Sequence, residues 1–355
     1  MRFGIFDYID IRSEPVARLY DERMELIQAA EDAGFYGYHV TEHHATPLSA
    51  APSPSVFLAA VARETSRIRL GALLFLLPLY HPFRLLEELQ MLDNLSHGRL
   101  DIGVGRGVSP FEFAVLSQDI KGSEKLYAEC LEIVWKGLKN KRITHHGERY
   151  HLDNAPLPME WVQKPHPPVW YGLRSGPEGS LLPTRRGMNV VTLGNDDRAV
   201  QAIARFRSAW PIHADERRKS GSIIDEPIVG MVRGMFVADT DAEAERIARP
   251  AYRKWFDSLM WLWKENNSFP GIPLSQDFDE SIRDGSLVVG SPDTVRRRLV
   301  AQAERCGHDY LVLKLAFGSF THAQEMHSLA LFRREVMPAL NEIRTAEAKV
   351  AAGVA

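Results

Sequence analysis

The feature that most constrains this chain is a repeated alternation. Short apolar runs are each followed by a longer amphipathic stretch, from one end of the 355 residues to the other. Residues 2–7 open it as a strand, and a helix at about 20–33 follows, closed by Gly34. Further strands are expected at 37–42, 68–77, 100–105, 168–173, 189–193, 228–238 and 309–315. The third is apolar on both faces, as a strand of a buried parallel sheet should be. Helices are expected at 54–65, 82–94, 123–139, after Ser175, at 198–220, 241–264, 291–306 and 322–340. Residues 143–154 read as a hairpin around Gly147, and the polar segment 265–289 interrupts the rhythm as a lid or a disordered loop. Eight strands alternating with helices predict an α/β fold: a single (β/α)8 TIM barrel over 1–345, with insertions after strands 4 and 7. Residues 346–355 are expected to be a poorly ordered tail.

Composition narrows the class. With 45% hydrophobic and 25% charged residues the chain can bury a large core. A net charge of -3 argues against nucleic acid as an obligatory partner. The longest apolar run, 70–80, is too short to span a bilayer and contains Pro78, so no membrane association is expected. The amino terminus turns polar too soon for a signal peptide. Cys130 and Cys306 form no framework, which suits a reducing, cytoplasmic setting.

In a (β/α)8 barrel the strand C-terminal ends converge on one face, where the chemistry sits. Those ends carry Asp7-Tyr8, Glu42-His43-His44, Leu73-Leu74, the Gly103–Gly107 turn with Arg106, residues 171–175, Gly194, Asp239 and the run from Lys314 to Phe317. Glu42-His43-His44 is the sharpest of these. Adjacent strand residues face opposite ways, so the two histidines are not expected to share a metal. One of them suits acid/base work or hydrogen bonding to an anionic intermediate. His145, His146 and His151 lie in the hairpin and are expected to be solvated. The glycines of 103–107 fail the GxGxxG pattern and instead suggest close approach of a flat ligand or phosphate to the backbone. Arg106 offers a forked cation for that phosphate, or an ion pair with a neighbouring acid. Residues 172–180, with Gly176, Ser175 and Ser180, could cradle a phosphate at a helix start. Tyr8, Phe75, Phe111, Phe113 and Trp170 are candidates to line an apolar pocket.

Four stretches together resemble the bacterial luciferase-like flavin-dependent monooxygenases: MRFGIFDY, AGFYGYHVTEHH, IRLGALLFLLPLYHPFRLLEELQMLDNLSHGRLDIGVGRG and VQKPHPPVWYG. The resemblance covers nearly the whole chain. It implies a barrel that binds reduced FMN at the strand ends, where O2 adds at the flavin C4a position and the hydroperoxide oxidises an organic substrate. It implies catalytic roles for His43, with Glu42 and His44 orienting it. It implies cofactor contacts from Leu73, Leu74, Gly105, Arg106, Tyr171, Ser175 and Gly176. Leu73-Leu74 fall where the family has a cis peptide, and Gly105 stands where luciferase has a reactive cysteine. A separate NAD(P)H:flavin reductase and a homodimer built on the 54–65 and 82–94 helices are further implications. The rival readings are a dehydrogenase or reductase of the same superfamily using F420, a non-enzymatic flavin-binding subunit, and a metal-dependent barrel hydrolase.

Overall fold

The computed structural model describes residues 1–174, 176–270 and 275–343. Its strands are β1 (Arg2–Asp7), β2 (Gly37–Val40), β3 (Arg69–Leu76), β4 (Leu100–Gly105), β5 (Arg142–His146) and β6 (His151–Pro156). They continue with β7 (Val169–Gly172), β8 (Asn189–Thr192), β9 (Val229–Val237), β10 (Leu287–Gly290) and β11 (Tyr310–Lys314). β1, β2, β3, β4, β7, β8, β9 and β11 pair in parallel in that order, and β11 returns to β1. The ring of eight is closed, so none of its strands leaves a full edge to protect.

Strand alternation divides the core into two layers. Leu311 and Leu313 of β11 pack outward with the helices, while Tyr310 and Val312 join the inner cluster. His39, Trp170 and Tyr310 come from three ring strands that are not neighbours, yet their rings meet at 5.5–5.8 Å. Their meeting marks the barrel interior as filled, not hollow. Small residues on β1 and β2 make room: a Cβ on Gly4 would lie 1.9 Å from the Tyr310 hydroxyl, and one on Gly37 2.7 Å away.

The additional pieces lie between the fourth and fifth ring strands, where β5 and β6 form the hairpin, and between the seventh and eighth. The second place departs from the sequence reading. Segment 265–289 holds a helix, Phe278–Arg283, and the start of β10, with Phe278 and Ser281 buried. β10 pairs with Gly234–Val237, the outer half of a nine-residue β9 that outruns its ring neighbours. Four apolar residues after a short polar helix carry too little periodicity to read as a strand. The expected 198–220 helix divides at His213, just after Pro211, and the 241–264 helix at Met260. Residues 346–355 lie outside the described residues. Among the described residues no helix is long and apolar enough to cross a membrane.

Candidate active site

β2 ends at Val40, and Thr41 to His44 continue as irregular chain over the barrel mouth. His43 Nδ1 lies 3.0 Å from Glu112 Oε1. Glu112 comes from the Pro110–Val115 helix after β4, whose cap residue Ser109 accepts from the Glu112 N–H at 3.4 Å. Burial works to lower the His43 pKa, but the Glu112 charge and hydrogen bond, helped by Glu42, raise it overall. The imidazole therefore keeps its proton to higher pH than a free histidine.

Glu42 and His44 make no hydrogen bond to the His43 ring among the described residues; they pair with each other and anchor the loop that carries it. His44 Nε2 is 2.9 Å from Glu42 Oε1, and Glu42 Oε2 accepts from the Leu76 N–H and the Tyr80 hydroxyl, each at 3.0 Å. Glu42 thus ties the end of β2 to the end of β3. The two histidines are held by two separate carboxylates.

The Leu73–Leu74 peptide bond is cis. Pairing of β3 with β4 slips here, between Ala72 and Phe75. The glycines opposite have a packing role in this slip, which the sequence reading of ligand approach did not include. A Cβ on Gly103 would meet Ala72 O at 2.1 Å and Leu73 Cδ2 at 2.9 Å; one on Gly105 would meet Leu74 Cδ1 at 2.7 Å. A Cβ on Gly172 of β7 would touch the same Leu74 atom at 3.3 Å. Leu74 occupies a slot that three glycines leave open.

Beside that slot, Arg106 is loosely held. Its Nη1 lies 3.4 Å from Ser123 Oγ and 3.4 Å from Glu124 Oε1, and the side chain is 27% exposed. Arg174 also faces Glu124, at 3.9 Å. The Tyr127 hydroxyl, one turn along the Ser123–Lys139 helix, is buried without a hydrogen-bond partner. Two arginines and an unpartnered hydroxyl make a place for an anionic group. Ser175 lies outside the described residues. Gly176, at φ 92°, precedes a four-residue 3-10 helix, and Ser180 is buried at that helix's end. The Tyr171 side chain packs in the outer core, with its phenol near enough to act on that of Tyr127.

Above His43 lies a cavity of about 100 Å³, lined by His43, Leu48, Glu112, Met260, Leu262 and Trp263 among others. Of the aromatic residues expected to line a pocket, Tyr8 sits 5.6 Å from the His43 ring and Phe111 packs on Trp263 at 5.1 Å. Phe75, Phe113 and Trp170 are buried in the core instead. The chain reverses after Tyr8 at Ile9, whose φ of 56° is unusual for a β-branched residue; its N–H is held by Asp7 Oδ1 at 3.0 Å.

The sequence profile of luciferase-like monooxygenases matches residues 1–309. The chain belongs to that family. An uncharacterised protein of Sinorhizobium fredii is 33% identical to this luciferase-like monooxygenase, over 95% of this chain and 96% of its own. The oxygenase component of a flavin-dependent trigonelline monooxygenase from Acinetobacter baylyi is 29% identical, over 96% of each. Among solved structures, a monooxygenase from Streptomyces bottropensis superposes with TM-score 0.85 at 23% identity, covering 95% of this chain and 99% of that one. The oxygenating constituent of 3,6-diketocamphane monooxygenase from Pseudomonas putida, solved with FMN, gives 0.73 at 22% identity, covering 96% and 98%. At these identities the two structures bear on the fold, and the barrel agrees with both.

Two residues of the candidate site escaped sequence reasoning. Glu112 and Tyr127 both sit on helices after β4, far in sequence from the groups they meet. Glu112 carried one faint signal, the Ser-x-x-Glu spacing from Ser109 that marks a helix start.

Proposed function

We propose that this luciferase-like monooxygenase uses reduced FMN and O2 to oxidise a small organic substrate, with His43 as the proton-handling group. The observation that carries this reading is the His43–Glu112 pair on the wall of an apolar cavity. With Nδ1 engaged by Glu112, Nε2 is the nitrogen available to the cavity that His43 lines. A histidine so fixed can hold or return a proton at one defined point. Bound reduced flavin supplies the electrons that activate oxygen. Arg106, with Arg174 and Tyr127, would take its phosphate, and Leu73-Leu74 would form the wall for its ring, with Gly105, Tyr171, Ser175 and Gly176 around them. Leu48, Met260, Leu262 and Trp263 keep water from the reacting centre. Glu42 and His44 act indirectly, by fixing the loop that presents His43.

A separate NAD(P)H:flavin reductase would supply the reduced flavin, as the words "oxygenase component" suggest for the Acinetobacter relative. The exposed Val56 on the Pro54–Glu64 helix suits a homodimer contact, which size-exclusion chromatography with light scattering would check. The function is tested by oxygen uptake with NADH, a flavin reductase and FMN. FMN-dependent uptake coupled to product supports it. Reduction of F420 by substrate without oxygen uptake would transfer the chain to the F420 branch, and a stoichiometric metal would favour the hydrolase.

A further inference from the structure

β11 delivers one inward residue unlike the two before it. Tyr310 and Val312 fill the barrel, but Lys314 follows them at the mouth with its Nζ 3.1 Å from the Trp255 ring centroid. Phe317 lies 4.7 Å from the same atom, and Tyr8 and Tyr252 each 6.0 Å. Ring faces attract an ammonium, yet they accept no conventional hydrogen bond. Among the described residues none accepts from Lys314 Nζ, and no carboxylate lies within ion-pair distance of it. Asp10 acts on it only from further away; its Oδ2 accepts from the Gly318 N–H at 3.0 Å, and its Oδ1 is buried without a partner. Trp255 Nε1 is a second buried donor without an acceptor.

The cage has an open side. Lys314, Tyr8 and Trp255 keep 6–8% exposure, whereas Tyr310 and Val312 below them have none. Tyr8 stands 5.6 Å from the His43 ring. Leu48 and Met260, which line the His43 cavity, pack in the same cluster as Tyr8 and Trp255. Tyr8 thus bridges the two, standing against His43 on one side and 6.0 Å from the Trp255 ring on the other, so the cage lies directly behind the His43 side of that cavity. We propose that Lys314 is a substrate-binding residue that receives an anionic oxygen, so that the enzyme takes an apolar carboxylate in preference to a neutral compound of the same shape. Trp255 Nε1 is the second donor to that oxygen, and the aromatic rings seat the apolar body. Burial pushes the Lys314 amine down to about 7, with Asp10 opposing, a cost that pairing with a carboxylate relieves. This inference rests on the reading of the His43 cavity as the substrate site.

The test is calorimetric titration of the full chain, without flavin, by benzoate and by its neutral isostere benzamide. Benzoate should bind the native chain about tenfold or more tightly than benzamide, and Lys314→Met should erase the difference. Equal affinities, no benzoate binding, or a preference that survives in Lys314→Met would each overturn the proposal. Circular dichroism melts check that variant's fold; if it fails, Lys314→Gln must show the same loss of preference. FMN titration of the native chain separates the two readings. FMN binding without a benzoate preference removes this inference alone. A Lys314-dependent preference without FMN binding removes the flavin reading and keeps this one.

Discussion

His43 and its carboxylate show how charge and burial compete at one side chain. Replacing His43 by Gln should cost about 10²–10⁴-fold in substrate oxidation while leaving FMN affinity within a few-fold, read by oxygen-uptake kinetics and flavin fluorescence titration. Glu112→Gln removes the main group that raises the histidine's pKa, so the activity limb set by His43 should move to lower pH. The sign for stability follows the same shift. A histidine whose folded pKa is raised stabilises the fold below its unfolded value, and that contribution fades as pH rises through the folded one. Lys314 has the opposite balance: its folded pKa of about 7 lies below the unfolded value, so its burial destabilises the fold increasingly as pH falls from the unfolded value to 7, and levels off below that. Lys314→Met should therefore melt above the native chain, by a margin that grows from about pH 9 to pH 7 and then levels off. A lower melting temperature would show that the cation–π contacts outweigh desolvation. The histidine was legible in the sequence because Glu42-His43-His44 closes an apolar strand. Its carboxylate was not, since Glu112 lies 69 residues away and only the closed barrel brings the two together.

At the scale of elements, the slip between β3 and β4 organises the floor of the mouth. Gly105→Ala would put a methyl 2.7 Å from Leu74 Cδ1, the mobile end of a side chain that must then move. Overpacking of this kind costs about 1–3 kcal/mol, and a second change, Leu74→Ala, should recover part of it. Denaturant unfolding of the two single variants and the double variant measures that coupling; simple additivity would mean that the glycine serves something other than Leu74. The ring strands were readable because each is a buried apolar run bounded by turns. β10 was not, because its four residues are defined by the outer half of β9 and not by any pattern of their own. The packing role of the glycine turn was hidden for a related reason: glycines that admit a ligand and glycines that admit a leucine look alike in sequence.

The whole molecule is joined end to end by buried charges. Asp7 of β1 pairs with Arg23 at 3.0 Å, Arg23 reaches Glu325 at 3.5 Å, and Arg12 pairs with the other Glu325 oxygen. The network locks the first strand and first helix to the His322–Leu331 helix, the last stretch of chain around the ring. Breaking a buried pair leaves an uncompensated charge, so Arg23→Met should lower the unfolding free energy by about 3–5 kcal/mol in a urea titration. A loss below about 1 kcal/mol would mean that packing alone closes the barrel. The central claim is that this closed barrel holds reduced FMN with its reactive edge before His43. A crystal structure of the chain with FMN tests it most directly. The phosphate should lie against Arg106 and Tyr127, with the ring on Leu73-Leu74 and facing His43. FMN bound elsewhere, or with its phosphate away from Arg106, would contradict the account.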